Sequence, residues 1–109
     1  MPSIKAGDVV VVNFVGATGD KRRPAVVLST DLYHAQRPDV IVGVITTNVA
    51  AATAATDYIL QDWQAAGLRK QSAFRTYLAT QAQSGVRAIG RLSDRDWQAV
   101  RECVQRAMS

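Results

Sequence analysis

The stretch Gly7-Asp8-Val9-Val10-Val11-Val12-Asn13-Phe14-Val15 opens with a turn signal and continues as a run of β-branched and aromatic residues. Such residues favour extended backbone, and a continuous apolar run of this length is typical of a mostly buried strand. Residues 25–29 and 40–47 have the same character. Pro24 can precede the first of these because its missing N–H breaks no ladder bond at a strand start. We predict one strand from each of the three segments.

Further segments continue the pattern along the chain. Three of them have the apolar content or the alternation of strands: residues 57–60, 72–80 and 86–91. We expect irregular backbone where glycine, polar residues or mixed Ala and Thr predominate: residues 16–22, 49–56 and 66–68. Residues 31–34 are predicted to form a turn or a single helical turn that is capped by Asp31.

The last segment is the clearest helix. Ser93 is a favourable N-cap residue, and Asp96, three positions later, matches the acidic position of a capping box. Apolar residues then recur at helical spacing and predict one buried stripe: Trp97, Val100, Val104, Ala107 and Met108. Several short strands followed by one amphipathic helix predict an α+β domain, mostly β, with a small curved sheet or barrel.

Length and composition limit the class of protein. The 109 residues fit a single domain, residues 1–109, and the hydrophobic fraction of 48% is that of a folded chain. One cysteine and one histidine exclude an internal disulfide and a zinc cluster within one chain, and we expect neither a metal nor a cofactor. The apolar runs are far shorter than the ~20 residues of a membrane span. Residues 1–8 lack the features of a signal peptide, so we predict a cytoplasmic protein with no membrane contact.

Basic residues outnumber acidic ones, giving a net charge of +4 and a pI of about 9.7. Ten of the thirteen basic residues are Arg, whose planar donor fork matches phosphate bidentately. This bias suits an anionic polymer as the partner, and it is equally expected from a GC-rich genome. Composition alone therefore does not identify RNA.

Five stretches of the chain form an ordered set of motifs. The most characteristic is Arg23-Pro24-Ala25-Val26-Val27-Leu28-Ser29. The others are Gly7-Asp8-Val9-Val10 with Phe14, Val44-Ile45-Thr46-Thr47, Gly67-Leu68-Arg69-Lys70-Gln71-Ser72 with Arg75, and Ile89-Gly90-Arg91-Leu92-Ser93. In this order and spacing the motifs resemble those of MazF/PemK toxins. The chain departs from better-known members at Gln71, where many have Pro, and in the short segment of residues 16–22.

The resemblance implies an SH3-like small barrel with a C-terminal helix, paired into a two-fold homodimer. It implies a toxin of a type II toxin–antitoxin system that cleaves single-stranded RNA sequence-selectively and without a metal. It also implies a cognate antitoxin whose acidic C-terminal tail fills the RNA groove. By their places in the motifs, the catalytic residues would be Arg23 and Thr46. The resemblance further suggests RNA contacts from Lys21, Arg22, Thr47, Ser72 and Arg75.

Cleavage of RNA without a metal can use the 2′-hydroxyl of the substrate as nucleophile, leaving a 2′,3′-cyclic phosphate and a 5′-hydroxyl end. The protein must then align that oxygen with phosphorus and stabilise the charged phosphorane, which a guanidinium does by binding two oxygens at once. DNA lacks the 2′-hydroxyl, so we expect it to bind and survive. Strand alternation directs Thr46 and Thr47 to opposite faces. The residue pattern does not choose between them, so Thr46 rests on the resemblance alone.

Several other residues suited to RNA chemistry receive structural interpretations. His34, the single histidine, lies in a predicted turn outside the motifs, and we expect it at the surface. Trp63 and Tyr77 have faces that accept any base, but we expect them to pack in the core or in a dimer interface. Arg87 and Arg91 either line the groove or solubilise an edge strand.

Two other functions stay open. A non-catalytic toxin on the same barrel, of the gyrase-poison type (CcdB), relies on an aromatic-Gly-Ile ending, whereas this chain ends Ala107-Met108-Ser109. A decayed or regulatory homologue would bind RNA or an antitoxin without cutting. Arg23-Pro24 together with Thr46 favours the ribonuclease over the gyrase poison, and the sequence does not exclude the inactive homologue.

Overall fold

Strands make up most of the regular structure. The structure is a computed structural model that describes residues 4–16 and 19–108, with only the backbone described at residues 14–16 and 19–21. Within this part of the chain the elements are β1 (Asp8–Gly16), β2 (Gly19–Val27), α1 (Asp31–Gln36), β3 (Asp39–Thr46), β4 (Asp57–Ile59), β5 (Ala73–Ala82), β6 (Arg87–Arg91) and α2 (Asp94–Met108). Single 3-10 turns form at Val49–Ala51 and Gln83–Gly85.

The strands form one antiparallel sheet in the order β4-β5-β3-β2-β1-β6. The predicted α+β, mostly β class with a C-terminal helix is confirmed. The expected barrel is not closed by hydrogen bonds, because no ladder joins β4 to β6 in the described residues. None of the described helices is long and apolar enough to cross a membrane.

Both faces of the sheet are buried at its centre. On one face Val9 and Val26 join Phe74 in a cluster that also contains Val100 and Cys103 of α2. The other face has a second cluster: Val10, Val12, Ala25, Val27, Val40 and Val42. Since successive residues of a strand point to opposite faces, burial of both faces explains why residues 9–12 are all valine instead of alternating with polar residues.

The predicted loop at residues 16–22 is wrong in most of its length. Gly16 pairs with Gly19, and the β1–β2 ladder continues through both arginines at positions 22 and 23. Residues 17 and 18 of the predicted loop lie outside the described part of the chain. Pro24 is tolerated inside β2 because the ladder with β3 begins only at Ala25, so Pro24 pairs with β1 alone.

Two predicted helix caps need correction. Helix α1 begins at Asp31, but its cap is Thr30, whose side-chain oxygen accepts from the Tyr33 amide at 3.4 Å. At the start of α2, Ser93 Oγ accepts from the Asp96 amide at 3.3 Å, as predicted. The Asp96 carboxylate does not complete the capping box, because it is used by other donors inside the protein.

Asp96 is 0% exposed and joins α2 to the segment that follows β4. Its carboxylate accepts from the Tyr58 hydroxyl at 2.6 Å and from the backbone amides of Gln61 and Asp62 at 3.1 and 2.8 Å. Burial, followed by the hydrogen bond to Asp96, raises the pKa of Tyr58 well above its usual range. A buried carboxylate is stable only when donors replace its lost water, and here three donors do so.

A second carboxylate strengthens the same junction nearer the surface. Arg95 Nε and Nη2 donate to the two oxygens of Asp62, both at 2.9 Å, and the Ser93 hydroxyl donates to Asp62 at 2.6 Å. The hydrogen bonds from Arg95 and then Ser93 lower the pKa of Asp62.

The apolar stripe of α2 is shorter than predicted, because Ala107 and Met108 are exposed, Met108 by 69%.

Replacing Asp96 with Ala should lower the free energy of unfolding by about 3–5 kcal/mol, because three part-buried donors lose their acceptor at a cost of about 1–3 kcal/mol each. Asp94→Ala is the matched control: Asp94 is an exposed acid in the same helical turn, and its loss should cost less than about 1 kcal/mol. Urea denaturation followed by tryptophan fluorescence measures both. Equal, small losses in the two variants would show that the Asp96 contacts do not stabilise the fold.

The lowered pKa of Asp62 predicts the acid limb of the stability curve. A carboxyl group with a depressed pKa contributes stability above the ordinary value of 3.8, and this contribution is lost as the pH falls through the folded-state pKa. Arg95→Ala removes the main cause, so this variant should be less stable than the parent above pH 3.8, with a gap that narrows below it. Denaturation midpoints between pH 7 and pH 2 measure the gap. A gap that stays constant to pH 2 would contradict the assignment.

Candidate functional site

Two adjoining cavities lie where β2 passes the end of β3. They share one wall, formed by Arg22, Arg23, Pro24 and Thr47. The smaller cavity, of about 400 Å³, adds Ile45 to this shared wall. The larger cavity, of about 570 Å³, extends from the shared wall to the connection before β5 and to β6.

The larger cavity combines aliphatic and cationic side chains. Its aliphatic residues, beside Pro24, are Val11, Leu68 and Ile89. Val11 is in register with both Pro24 of β2 and Arg87 of β6, so these three form one row across the same face of the sheet. The cations that line it come from β2, from the connection before β5 and from β6: Arg22, Arg23, Arg69, Lys70 and Arg87.

These five cations have no described acidic partner, whereas five of the six other arginines have one. No described carboxylate lies within ion-pair distance of any of them, whereas ion pairs hold Arg37, Arg75, Arg91, Arg95 and Arg106. Arg22 donates only to the Asn13 side chain, at 3.3 Å. Unpaired cations grouped around a concave surface raise the local concentration of anions. The cavity is therefore suited to an anionic ligand.

The structure brings four residues of the predicted site to this cavity: Arg22, Arg23, Thr47 and Ser72. Thr46 is the exception among the residues next to the shared wall, because it is half-buried and lines neither cavity. Its hydroxyl oxygen accepts from the Asn48 amide at 3.1 Å. The hydroxyl-bearing residue that lies with Arg23 in the shared wall is thus Thr47.

The remaining predicted RNA contacts lie elsewhere or are already engaged. Arg75 faces Asp57 across the β4–β5 ladder, with 3.9 Å between Nε and Oδ1, and lines neither cavity. Ser72 is almost fully buried, and its hydroxyl donates to the Lys70 carbonyl at 2.8 Å, which stabilises the bend that carries Lys70. The side chain of Lys21 lies outside the described residues.

Among the cations of the cavity, sequence reasoning missed two and left one open. Arg69 and Lys70 stand in a recognised motif without a predicted role, although adjacent cations in a turn after Gly67 are a signal for an anion site. Arg87 lines the cavity. Arg91 instead donates to the Asp8 carboxylate at 3.0 Å and to the Ala6 carbonyl at 3.1 Å.

Three aromatic predictions have different outcomes. Trp63 packs against the cluster under α2, as expected for core packing. Tyr77 is 67% exposed in this chain, so the core interpretation is wrong for it. His34 is half-buried, not at the open surface, because its Nε2 lies 2.6 Å from Ser29 Oγ.

The turn that carries Arg69 and Lys70 rests directly on β6. Gly67 has a φ of +87°, and a Cβ atom on it would collide with the Ile89 carbonyl oxygen. A Cβ atom on Gly90 would collide with the Ala66 carbonyl oxygen. Only glycine at both positions allows this close backbone approach, which places the cationic turn and β6 on one cavity.

Gly67→Ala should destabilise the protein by at least about 1–3 kcal/mol, because the new Cβ atom meets backbone and the positive φ strains any other residue. Gly85→Ala is the matched control, since a Cβ atom there has no neighbour within 4 Å. We expect Gly85→Ala to leave the unfolding free energy unchanged or to raise it by up to about 1 kcal/mol. Urea denaturation of both variants is the measurement, and a Gly67→Ala protein as stable as Gly85→Ala would refute the close approach.

Among the described residues, no group of three or more His, Cys, Asp and Glu side chains could hold a metal ion.

The structure is similar to several solved toxins. An endoribonuclease in complex with its cognate antitoxin from Mycobacterial species superposes with a TM-score of 0.78 at 13% identity, over 97% of this chain and 95% of that chain. MazF in the MazE-MazF complex (Form-III) from Deinococcus radiodurans gives a TM-score of 0.75 at 19% identity, over 95% and 94%. Mycobacterium tuberculosis toxin MazF-mt6 gives 0.71 at 22% identity, over 92% and 94%. At these identities the likeness establishes the fold.

Comparison of the sequence with family models shows which family the chain belongs to. No curated protein matches the chain. A family model described as PemK-like, MazF-like toxin of type II toxin-antitoxin system matches residues 5–108. The match spans nearly all of the chain and confirms the resemblance that the ordered motifs indicated. The chain therefore belongs to the PemK-like, MazF-like toxin family of type II toxin–antitoxin systems.

Proposed function

We propose that this protein is a toxin that cleaves single-stranded RNA sequence-selectively, as an endoribonuclease that needs no metal. The observation that carries the proposal is the shared wall, where Arg22, Arg23 and Thr47 come together among cations without described acidic partners. A phosphodiester polymer is the anion that such an elongated set of cations fits. Membership of the toxin family and the endoribonuclease fold neighbours support the same conclusion.

The proposed chemistry uses the 2′-hydroxyl of the RNA as nucleophile. Its oxygen bonds to the adjacent phosphorus, the bond from phosphorus to the 5′-oxygen breaks, and the products are a 2′,3′-cyclic phosphate and a 5′-hydroxyl. The 2′-hydroxyl gives its proton to water, and the leaving oxygen takes one from water. Arg23 binds two phosphorane oxygens and stabilises their charge. Its pKa above ~12 makes a role as general base unfavourable.

A threonine hydroxyl supplies the second contact to the reacting phosphate. The family resemblance assigns this role to Thr46, and the cavity lining favours Thr47. The Thr46 oxygen is engaged by the Asn48 amide, but its own proton has no acceptor among the described atoms. Each hydroxyl can therefore still donate one hydrogen bond, and single substitutions separate the two assignments.

The other residues proposed to contact RNA differ in how freely their side chains can reach it. Arg22 lies in the shared wall, with only a long hydrogen bond to Asn13, and is free to bind a phosphate. Lys21 precedes it in β2. Ser72 supports the bend at Lys70, and Arg75 would have to leave Asp57 to reach RNA.

We further propose that the protein acts in the cytoplasm as a homodimer and is inhibited by a cognate antitoxin. An acidic antitoxin tail would be the natural competitor of RNA, because its carboxylates match the five unpaired cations of the larger cavity. Fold neighbours from Mycobacterial species and Deinococcus radiodurans were solved with their antitoxins.

Cleavage of a mixed-sequence RNA and of its DNA counterpart, with a chelator present, tests the proposal. We expect RNA alone to be cut, with cyclic phosphate ends. Arg23→Ala should lower kcat by roughly 10²–10³-fold, the loss typical for one donor that stabilises transition-state charge. One of Thr46→Val and Thr47→Val should cause a comparable loss, which identifies the catalytic hydroxyl.

Arg37→Ala is the matched control, because Arg37 pairs with Asp39 and lines neither cavity. It should cleave like the parent protein. Cleavage that requires added magnesium, or that survives Arg23→Ala, would overturn the proposal. RNA binding without cleavage would identify an inactive homologue instead.

A further inference from the structure

The larger cavity continues beyond the site of the proposed reaction. The smaller cavity ends with the shared wall and Ile45, whereas the larger one adds Arg69, Lys70 and Arg87 on its far side. The scissile phosphodiester has a single negative charge, and Arg22 and Arg23 of the shared wall already lie beside it in the proposed reaction. It does not account for three further cations on the far side. These three residues therefore need a separate explanation.

We propose that the far side of the larger cavity is a subsite for the nucleotide next to the scissile linkage. Arg69, Lys70 and Arg87 bind the phosphate of that nucleotide, and its base packs on the aliphatic side chains between them and the shared wall. This inference rests on the proposed ribonuclease function and names a part of the substrate that the catalytic residues do not contact.

Charge is the first argument for this occupant. Arg69 and Lys70 come from one turn and Arg87 from β6, yet all three line one cavity without a described carboxylate in ion-pair range. Like charges gathered in this way repel one another unless an anion neutralises them. An RNA strand already held at the shared wall provides that anion, because its next phosphate is covalently attached to the first.

The cavity floor is the second argument. Val11, Leu68 and Ile89 offer an apolar surface beside the cations, and the cavity volume of about 570 Å³ lies in the range of small-molecule sites. No described side chain of this lining is aromatic, so the base packs on aliphatic groups that accept any base. Recognition on this side should depend on the phosphate more than on base identity.

Rigidity is the third argument. The turn that carries Arg69 and Lys70 is held against β6 by the backbone contacts of Gly67 and Gly90. The start of the same connection is fixed by the hydrogen bonds from the Gln61 and Asp62 amides to Asp96. Cations held in place before binding lose less conformational freedom when the phosphate arrives.

A scan with methylphosphonates tests the subsite. The strand is an uncleavable DNA copy of the cleaved RNA, or of the mixed-sequence RNA if none is cut, with one phosphate at a time replaced by a neutral methylphosphonate. Affinities come from fluorescence anisotropy for the parent protein, the double variant Lys70→Ala/Arg87→Ala, Arg87→Lys and the control Arg101→Ala. Arg101 is an exposed cation on α2 that does not line the cavity.

For the parent protein, neutralising one linkage beside the scissile position should weaken binding about tenfold. In Lys70→Ala/Arg87→Ala the same replacement should have almost no further effect, because this variant no longer binds that phosphate. The slope of log K against log salt should become shallower by about 0.7 for each phosphate that the protein ceases to bind. Arg87→Lys should keep most of the affinity, and Arg101→Ala should behave like the parent.

Two results would overturn the subsite. In one, the methylphosphonate weakens binding equally in the parent and in the double variant, so that the cations and the linkage do not interact. In the other, the double variant binds as tightly as the parent. Circular dichroism and thermal unfolding establish that the double variant is folded. Because the strand is uncleavable, the result does not depend on catalysis. A protein that fails to cut RNA would contradict the proposed function, and the binding measurements would still test the subsite.

Discussion

The buried carboxylate of Asp96 connects the helix of this protein to its site. It is fully removed from solvent, and the Tyr58 hydroxyl and the Gln61 and Asp62 amides replace its hydration water. Two of these donors are backbone groups at the start of the connection that ends at Ser72. The contact that seats α2 on the sheet therefore also fixes one end of the segment that carries the cationic turn. The same three hydrogen bonds therefore join the packing of α2 to the connection that carries the cationic turn.

The arginines that form ion pairs within the described part of the protein are different from the cations that line the cavity. Five of the six arginines outside the cavity are paired with Asp or Glu, as Arg95 is with Asp62 and Arg91 with Asp8, and the sixth, Arg101, lies over the Trp97 ring. Those around the cavity have no described acidic partner, so the sheet is assembled without using them. A cation already bound to a carboxylate must exchange one anion for another to bind phosphate, which reduces the gain. Five cations without described acidic partners thus line the cavity, where they can attract an anionic polymer.

The sequence predicts those parts of the fold that depend on local pattern. The valine run at residues 9–12 and the helix after Ser93 are regular, and both are found where expected. The pattern fails where distant residues decide. The glycines before Arg22 predict a loop there, yet pairing with β1 extends the strand through this residue. Asp96 resembles a capping residue in the sequence, but donors 34 to 38 positions away in the chain engage its carboxylate. No local pattern contains such partners.

The choice between Thr46 and Thr47 shows the same limit within one strand. Simple alternation would place the two side chains by counting from Val42, whose side chain is buried in the second cluster. The register of β3 against β5 shifts between Gly43 and Ile45, so the count is broken before it reaches the threonines. A bulge of this kind changes the direction in which the following side chains point, and it depends on pairing with β5, not on the residues of β3 alone. The irregularity therefore lies between the regular part of β3 and the two threonines, and the residues of β3 alone do not reveal it.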